Sequence, residues 1–189
     1  MAQKQLKKKD RTHRALMHSA KQLFEQNGIG NVTIDRISEN AGVSRSTFFT
    51  HFTSLDDLLK QIADEEINDI LSLSDGKPTV SEIFTKLTED TYPYPSLMME
   101  LFLRSIIAPG VSTANGVDRI IINEISEGGF KGISEEFSAG DVSAFILGAY
   151  FGLVFQKFMN NEAFENPDET NDKIQRYINY LKKTGGNKQ

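Results

Sequence analysis

The sequence has no cysteine. That excludes a disulfide framework, a thiolate nucleophile and a cysteine-based zinc site, and it suits a reducing cytoplasm. Histidine is scarce: His13, His18 and His51 are the whole supply. His13 and His18 stand roughly 140° apart on a helix and do not share a metal-binding face. There is no Glu-x-x-His pair for a di-iron bundle, no glycine-rich phosphate loop and no G-x-S-x-G elbow. No catalytic residue, metal ligand or cofactor is therefore expected, and the chain does not read as an enzyme. No stretch alternates cleanly enough to be a strand. The most apolar run, AFILGAYFGLVF from Ala144 to Phe155, is twelve residues, short of the ~20 that span a bilayer. It reads as a buried helix. The basic start, MAQKQLKKKDRTHR, is not followed by the apolar core of a secretory signal. The expectation is a cytoplasmic protein without a membrane partner.

What is present is an apolar content of 39% over 189 residues, which suits packed domains. The net charge of -5 is unevenly spread. Residues 1–60 hold ten Lys/Arg against six Asp/Glu, and the remainder holds eleven against twenty. A basic head on an acidic body suits contact with a polyanion at one end. A solubilising basic tail gives the same balance.

Apolar residues at helical spacing dominate, so the fold class is all-α. Leu16, Ala20, Leu23 and Phe24 form a stripe on a first helix that Asn27-Gly28 ends. Thr33 caps a short second helix to Asn40, with Ile34 and Ile37 inward. Gly42 breaks the pattern, and Ser44 caps a third helix to about His51. Ser54 to Asp57 opens a longer helix to about Leu73, and SDGKP at 74–78 is the seam between two structural units. Beyond it, Thr79 to Glu82 is a capping box for a helix to about Asp90, and the TYPYP segment interrupts. Further helices are expected over 96–108, 115–127 and 138–160, and a last one from Asn166-Pro-Asp-Glu169 through Ile174, Tyr177, Ile178 and Leu181.

Two short helices joined by a glycine-containing turn in a basic segment make a helix-turn-helix, whose second helix enters the major groove. Val43, Phe48 and Phe52 fall on its inward face. The opposite face shows Arg45, Ser46, Phe49 and Thr50, with Thr47 and His51 at its edges. Arginine can grip guanine with two hydrogen bonds, the hydroxyls can bond bases or phosphates, and Phe49 can touch a thymine methyl. A helical hairpin with its polar face in water would show the same residues.

The run from LFEQNGIGNVT through TIDRISENAGVSRSTFFTHF, followed directly by a long helix, resembles the TetR family of bacterial transcriptional regulators over roughly residues 10–60. The resemblance implies an N-terminal three-helix DNA-binding domain, residues 1–55, and a larger helical ligand-binding and dimerisation domain, residues 56–189, joined by the helix from about 54 to 73. It implies a homodimer on double-stranded DNA, at a near-palindromic operator. The positions matching the family's DNA contacts are Thr33, Ser44, Arg45, Ser46, Thr47, Phe49, Thr50 and His51. Two positions depart from the family pattern. Phe49 stands where tyrosine is common, and Leu55 where lysine is common. The basic arm of Lys4, Lys7, Lys8, Lys9, Arg11 and Arg14 can offset the lost backbone affinity.

Ala144, Gly148 and Gly152 leave a smooth ridge on a bulky helix. Small residues let another helix approach closely, and the resemblance places the dimer interface on the last two helices, where Ile174, Tyr177, Ile178 and Leu181 add apolar positions. Tight packing inside one subunit uses the same ridge. Tyr92, Met98, Met99, Phe102, Leu103, Ile106, Phe151 and Phe155 are candidate lining for a pocket that takes an unknown apolar or aromatic small-molecule effector, and they equally suit plain core. The leading expectation is a repressor released by a ligand. The alternative is an architectural or effector-independent DNA-binding or interaction protein.

Overall fold

A computed structural model describes residues 2–107, 113–129 and 137–184. Its helices are α1 (Ala2–Asn27), α2 (Ile34–Asn40), α3 (Arg45–Phe49), α4 (Leu55–Leu71), α5 (Val80–Thr91), α6 (Pro95–Ile107), α7 (Thr113–Glu124), α8 (Ala139–Met159) and α9 (Pro167–Thr184). Among the described residues there is no strand. The chain divides into two compact units, residues 1–65 with 96–111, and residues 66–95 with 112–189.

In the first unit Leu16, Ala20 and Phe24 are buried on α1 as the stripe requires, while Leu23 lies half-buried at its edge. Ile37, Phe48, Phe52, Leu58 and Ile62 complete the buried set from α2 to α4. Helix α1 starts well before the apolar stripe, at Ala2. Its first turns carry no apolar period and so left no hydrophobic signal, yet Lys, Gln and Arg are good helix formers. The basic arm is therefore helical, with Lys8, Lys9, Arg11 and Arg14 exposed. Gly28, at φ 75°, ends the helix in a conformation that a Cβ would penalise. Glu25 then accepts the N–H groups of Ser96 and Leu97 at 3.2 and 2.9 Å, satisfying orphan donors of the α6 N-terminus from another helix.

The second unit packs α5 with α9 and α7 with α8. Tyr150 is fully buried, its phenol donating to the Leu87 carbonyl at 2.9 Å and lying 2.8 Å from the Thr91 hydroxyl. Burial pushes that phenol above its ordinary range, so it stays protonated and holds the polar contact. Lys157 is also buried, with Glu162 at 3.4 Å and Glu169 at 3.6 Å. Burial pulls its pKa down, but Tyr92, Glu162 and Glu169 outweigh that and hold it above the ordinary value. The cation thus ties the end of α8 to the start of α9. At Gly116 a Cβ would lie 2.8 Å from Ile67 Cδ1, so a larger residue there requires the Ile67 side chain to turn aside.

Helix α8 corrects one expectation. The helix that carries the twelve-residue apolar run spans 21 residues, close to the expected 138–160, and by length and composition alone it reaches bilayer dimensions. It is also not buried all round. Val142, Ser143, Ile146, Tyr150 and Val154 pack inward, whereas Ala144, Gly148 and Gly152 are exposed beside Phe145, Phe155 and Met159, which are 60%, 55% and 70% exposed.

Candidate nucleic-acid interface

The candidate interface is built by two caps and one turn. Thr33 Oγ1 accepts the Arg36 N–H at 3.3 Å and starts α2, and Ser44 Oγ accepts the Thr47 N–H at 3.2 Å and starts α3. Between them Gly42 sits at φ 68° and donates to the Glu39 carbonyl, and Val43 returns to the Ser38 carbonyl at 2.9 Å. Ser19 on α1 locks this geometry. Its hydroxyl donates to the Ile37 carbonyl at 2.9 Å and accepts from Asn40 Nδ2 at 3.0 Å.

Adjacent residues on a helix project about 100° apart, and α3 shows the result at Phe48 and Phe49. Phe48 is 0% exposed and Phe49 is 46% exposed. Helix α3 ends at Phe49, two residues before the expected His51, because the chain tightens: the Thr50 N–H bonds back to Thr47 and the His51 N–H to Phe48. Arg45, Ser46, Phe49 and Thr50 are exposed together, as is Thr33, while Thr47 and His51 are half-buried. Ser44 Oγ lies 2.8 Å from both Ser46 Oγ and Thr47 Oγ1, so these hydroxyls form one cluster. Thr50 donates its proton to the Thr47 carbonyl at 2.6 Å. In that rotamer it can accept but not donate, and a phosphate, which only accepts, would require it to turn.

Two features lay beyond sequence pattern. Arg45 Nη1 donates to Asp35 Oδ2 at 2.6 Å, and its Cζ lies 5.5 Å from the Phe49 ring centre. His13, from α1, stacks on Phe52 at 4.7 Å and lies 5.6 Å from the His51 ring. Burial, then His13, then Lys9 hold the His51 pKa below its ordinary value. Among the described residues no group of three metal-ligating side chains forms.

The other candidate residues belong to both units. Met98 is buried on α6, Met99 and Phe102 are half-buried and Leu103 is exposed, all in the first unit. The side chain of Ile106 lies outside the described residues. In the second unit Tyr92 is buried with its hydroxyl 2.7 Å from Thr170 Oγ1. Phe151 packs edge-on against Tyr150, and Phe155 points outward from the exposed side of α8. A cavity of about 240 Å3 in this unit is lined by Leu71, Pro78, Ile120, Asn123, Glu124 and Glu127, and a shallower one of about 310 Å3 by Ser81, Thr85, Lys86 and Gln175. Ile174 and Ile178 are fully buried within their own subunit, because the α9 stripe that carries them faces α5 and α8. What α9 presents outward is Tyr177 and Tyr180, with Leu181 half-buried.

Residues 16–62 match the model for bacterial regulatory proteins of the tetR family. No curated protein matches the chain. Among solved structures, a transcriptional regulator from Aquifex aeolicus VF5 aligns with a TM-score of 0.68 at 18% identity, over 90% of this chain and 99% of that one. The fatty acid degradation regulator FadR from Bacillus halodurans gives 0.63 at 16% identity, over 88% and 93%. NalD of Pseudomonas aeruginosa, the secondary repressor of the MexAB-OprM multidrug efflux pump, gives 0.61 at 15% identity, over 90% and 96%. These likenesses establish a shared fold, and across α1 to α4 the chain matches the model for bacterial regulatory proteins of the tetR family.

Proposed function

We propose that the protein is a cytoplasmic, homodimeric repressor that reads a near-palindromic double-stranded operator and leaves it when a small apolar or aromatic molecule binds. Residues 1–55 act as the DNA-binding domain and 56–189 as the ligand-binding and dimerisation domain. The reading is carried by the outward face of α3, where Arg45, Ser46, Phe49 and Thr50 are exposed together on a helix anchored from behind by Phe48. NalD, named as a repressor, supports the sign of regulation by fold alone. Footprinting on the DNA flanking the gene tests the proposal. It expects one protected near-palindrome, and protection spread over any sequence would favour the effector-independent alternative.

Arg45→Ala is expected to cost about 1–3 kcal/mol at one base position of each half-site, the value of a bidentate grip on guanine. Competition titrations against single-base variants of the operator read it. A uniform loss over all sequences would make Arg45 a phosphate contact.

Leu55, half-buried, is the first residue of α4. Leu55→Lys is expected to add one phosphate contact per subunit, steepening the dimer's slope of log affinity against log salt by about 1.8, since each contact contributes about 0.9. Base preference stays, because phosphate contacts position without specifying. Fluorescence anisotropy across a salt series checks this. A folded variant with an unchanged slope would remove α4 from the DNA backbone.

A further inference from the structure

Asp35 and Arg45 belong to different helices, α2 and α3, and meet across the turn at 2.6 Å. Their side chains are 65% and 56% exposed, so this ion pair adds little to folding. Its effect on Arg45 is of another kind. An arginine side chain carries several rotatable bonds, and fixing such a side chain on binding costs free energy each time a complex forms. Here the guanidinium is held on one side by the Asp35 carboxylate and rests near the face of Phe49 at 5.5 Å. Part of its ordering is complete before DNA arrives. The bond recorded uses a single N–H of Nη1, and a guanidinium has five N–H groups. The remaining donors can still form a two-pronged grip on guanine.

We propose that Asp35 is a positioning residue for base reading: it presents Arg45 to the major groove and restrains it from seizing the nearest phosphate. The proposal rests on the reading of Arg45 as a base contact. It assigns Asp35 two opposed effects. Its carboxylate repels the DNA backbone and so lowers affinity for every sequence, and by holding Arg45 it raises the penalty for the wrong base. The competing role for Asp35 is purely structural, an acid in the first turn of α2 that favours the positive helix end. That role predicts no change in base discrimination.

The test uses the full-length chain. Bound sequences are selected from a pool of randomised duplexes, and anisotropy titrations then compare the best duplex, its single-base variants and a scrambled duplex across a salt series. Asp35→Ala and Asp35→Asn are each expected to reduce discrimination at the base read by Arg45 by about two- to tenfold, the size of one side chain's ordering cost. Affinity for the scrambled duplex should rise, and its salt slope should steepen by about 0.9 per subunit as the released Arg45 takes up a phosphate contact. Asp35→Glu, which keeps a carboxylate in reach, should retain most of the discrimination. Unchanged discrimination, or an equal weakening on all duplexes with a lower melting temperature, overturns the proposal. Arg45→Ala, measured in parallel, separates the two claims. If it changes no base position, the reading of Arg45 fails and the proposal with it. If it flattens one position and Asp35→Ala does not, only the positioning role falls.

Discussion

Replacing Gly148 or Gly152 by leucine is expected to leave the subunit folded and to weaken the proposed dimer. A Cβ built on either glycine meets nothing within 4 Å in the subunit, so leucine has room there, and losing a helix-interior glycine favours α8 by up to about 1 kcal/mol. The two glycines nevertheless lie on an exposed face that carries Phe145, Phe155 and Met159, and exposed apolar clusters of this kind mark association surfaces. If a partner helix sits on that ridge, leucine forces it outward. Overpacking costs about 1–3 kcal/mol, and a two-fold interface contains the change twice. The total of about 2–6 kcal/mol corresponds to a dimer weakened roughly 30-fold to twenty-thousand-fold. Sedimentation velocity over a concentration series measures the association, and circular dichroism checks that the helices persist. Dimers of unchanged affinity in both variants would place the proposed interface elsewhere.

The capping motifs show what a single sequence makes legible. Thr33, Ser44 and the Thr79–Glu82 box form as their spacing predicts, because a cap involves residues three apart whose geometry is local. At the start of α4 only half of such a box forms: Ser54 Oγ accepts the Asp57 N–H, but Asp57 reaches back to the Thr53 N–H instead of that of Ser54. Contacts between distant residues leave no such trace. Nothing in the spacing of Asp35 and Arg45, or of His13 and His51, announces that they meet, since their separations are set by the path through the turn. An apolar stripe is ambiguous in a further way. It states that a face is hidden without stating whether the subunit or its partner hides it, and Ile174 with Ile178, fully buried, are covered by their own chain. The ridge on α8 is ambiguous in the same way, and only the exposed Phe145 and Phe155 beside it indicate the outward direction. The candidate pocket was least legible, because its Tyr, Met and Phe residues are those that any core would use.

The adjacent phenylalanines of α3 offer the sharpest contrast of effects. Phe48→Ala is expected to cost about 3–5 kcal/mol, as for other large buried aromatics. Phe48 is wholly buried and its ring meets Phe52 at 5.4 Å, so truncation opens a cavity between α3 and the helices behind it. For a small unit each kcal/mol lowers the melting temperature by roughly 4–8 °C, and a fall of more than about 10 °C follows. Phe49→Ala should cost the fold less than about 1 kcal/mol. Its ring is nearly half exposed and loses only an edge contact to Phe48 at 5.5 Å and the stacking near Arg45. Its loss should instead appear in DNA binding, through a missing apolar contact and a looser Arg45. Thermal melts and operator titrations on both variants therefore give opposite patterns: Phe48→Ala unstable, with binding lost only as the fold is lost, and Phe49→Ala stable but weak on its operator. Equal destabilisation by both changes would mean that Phe49 is part of the core and that α3 presents a different face to DNA.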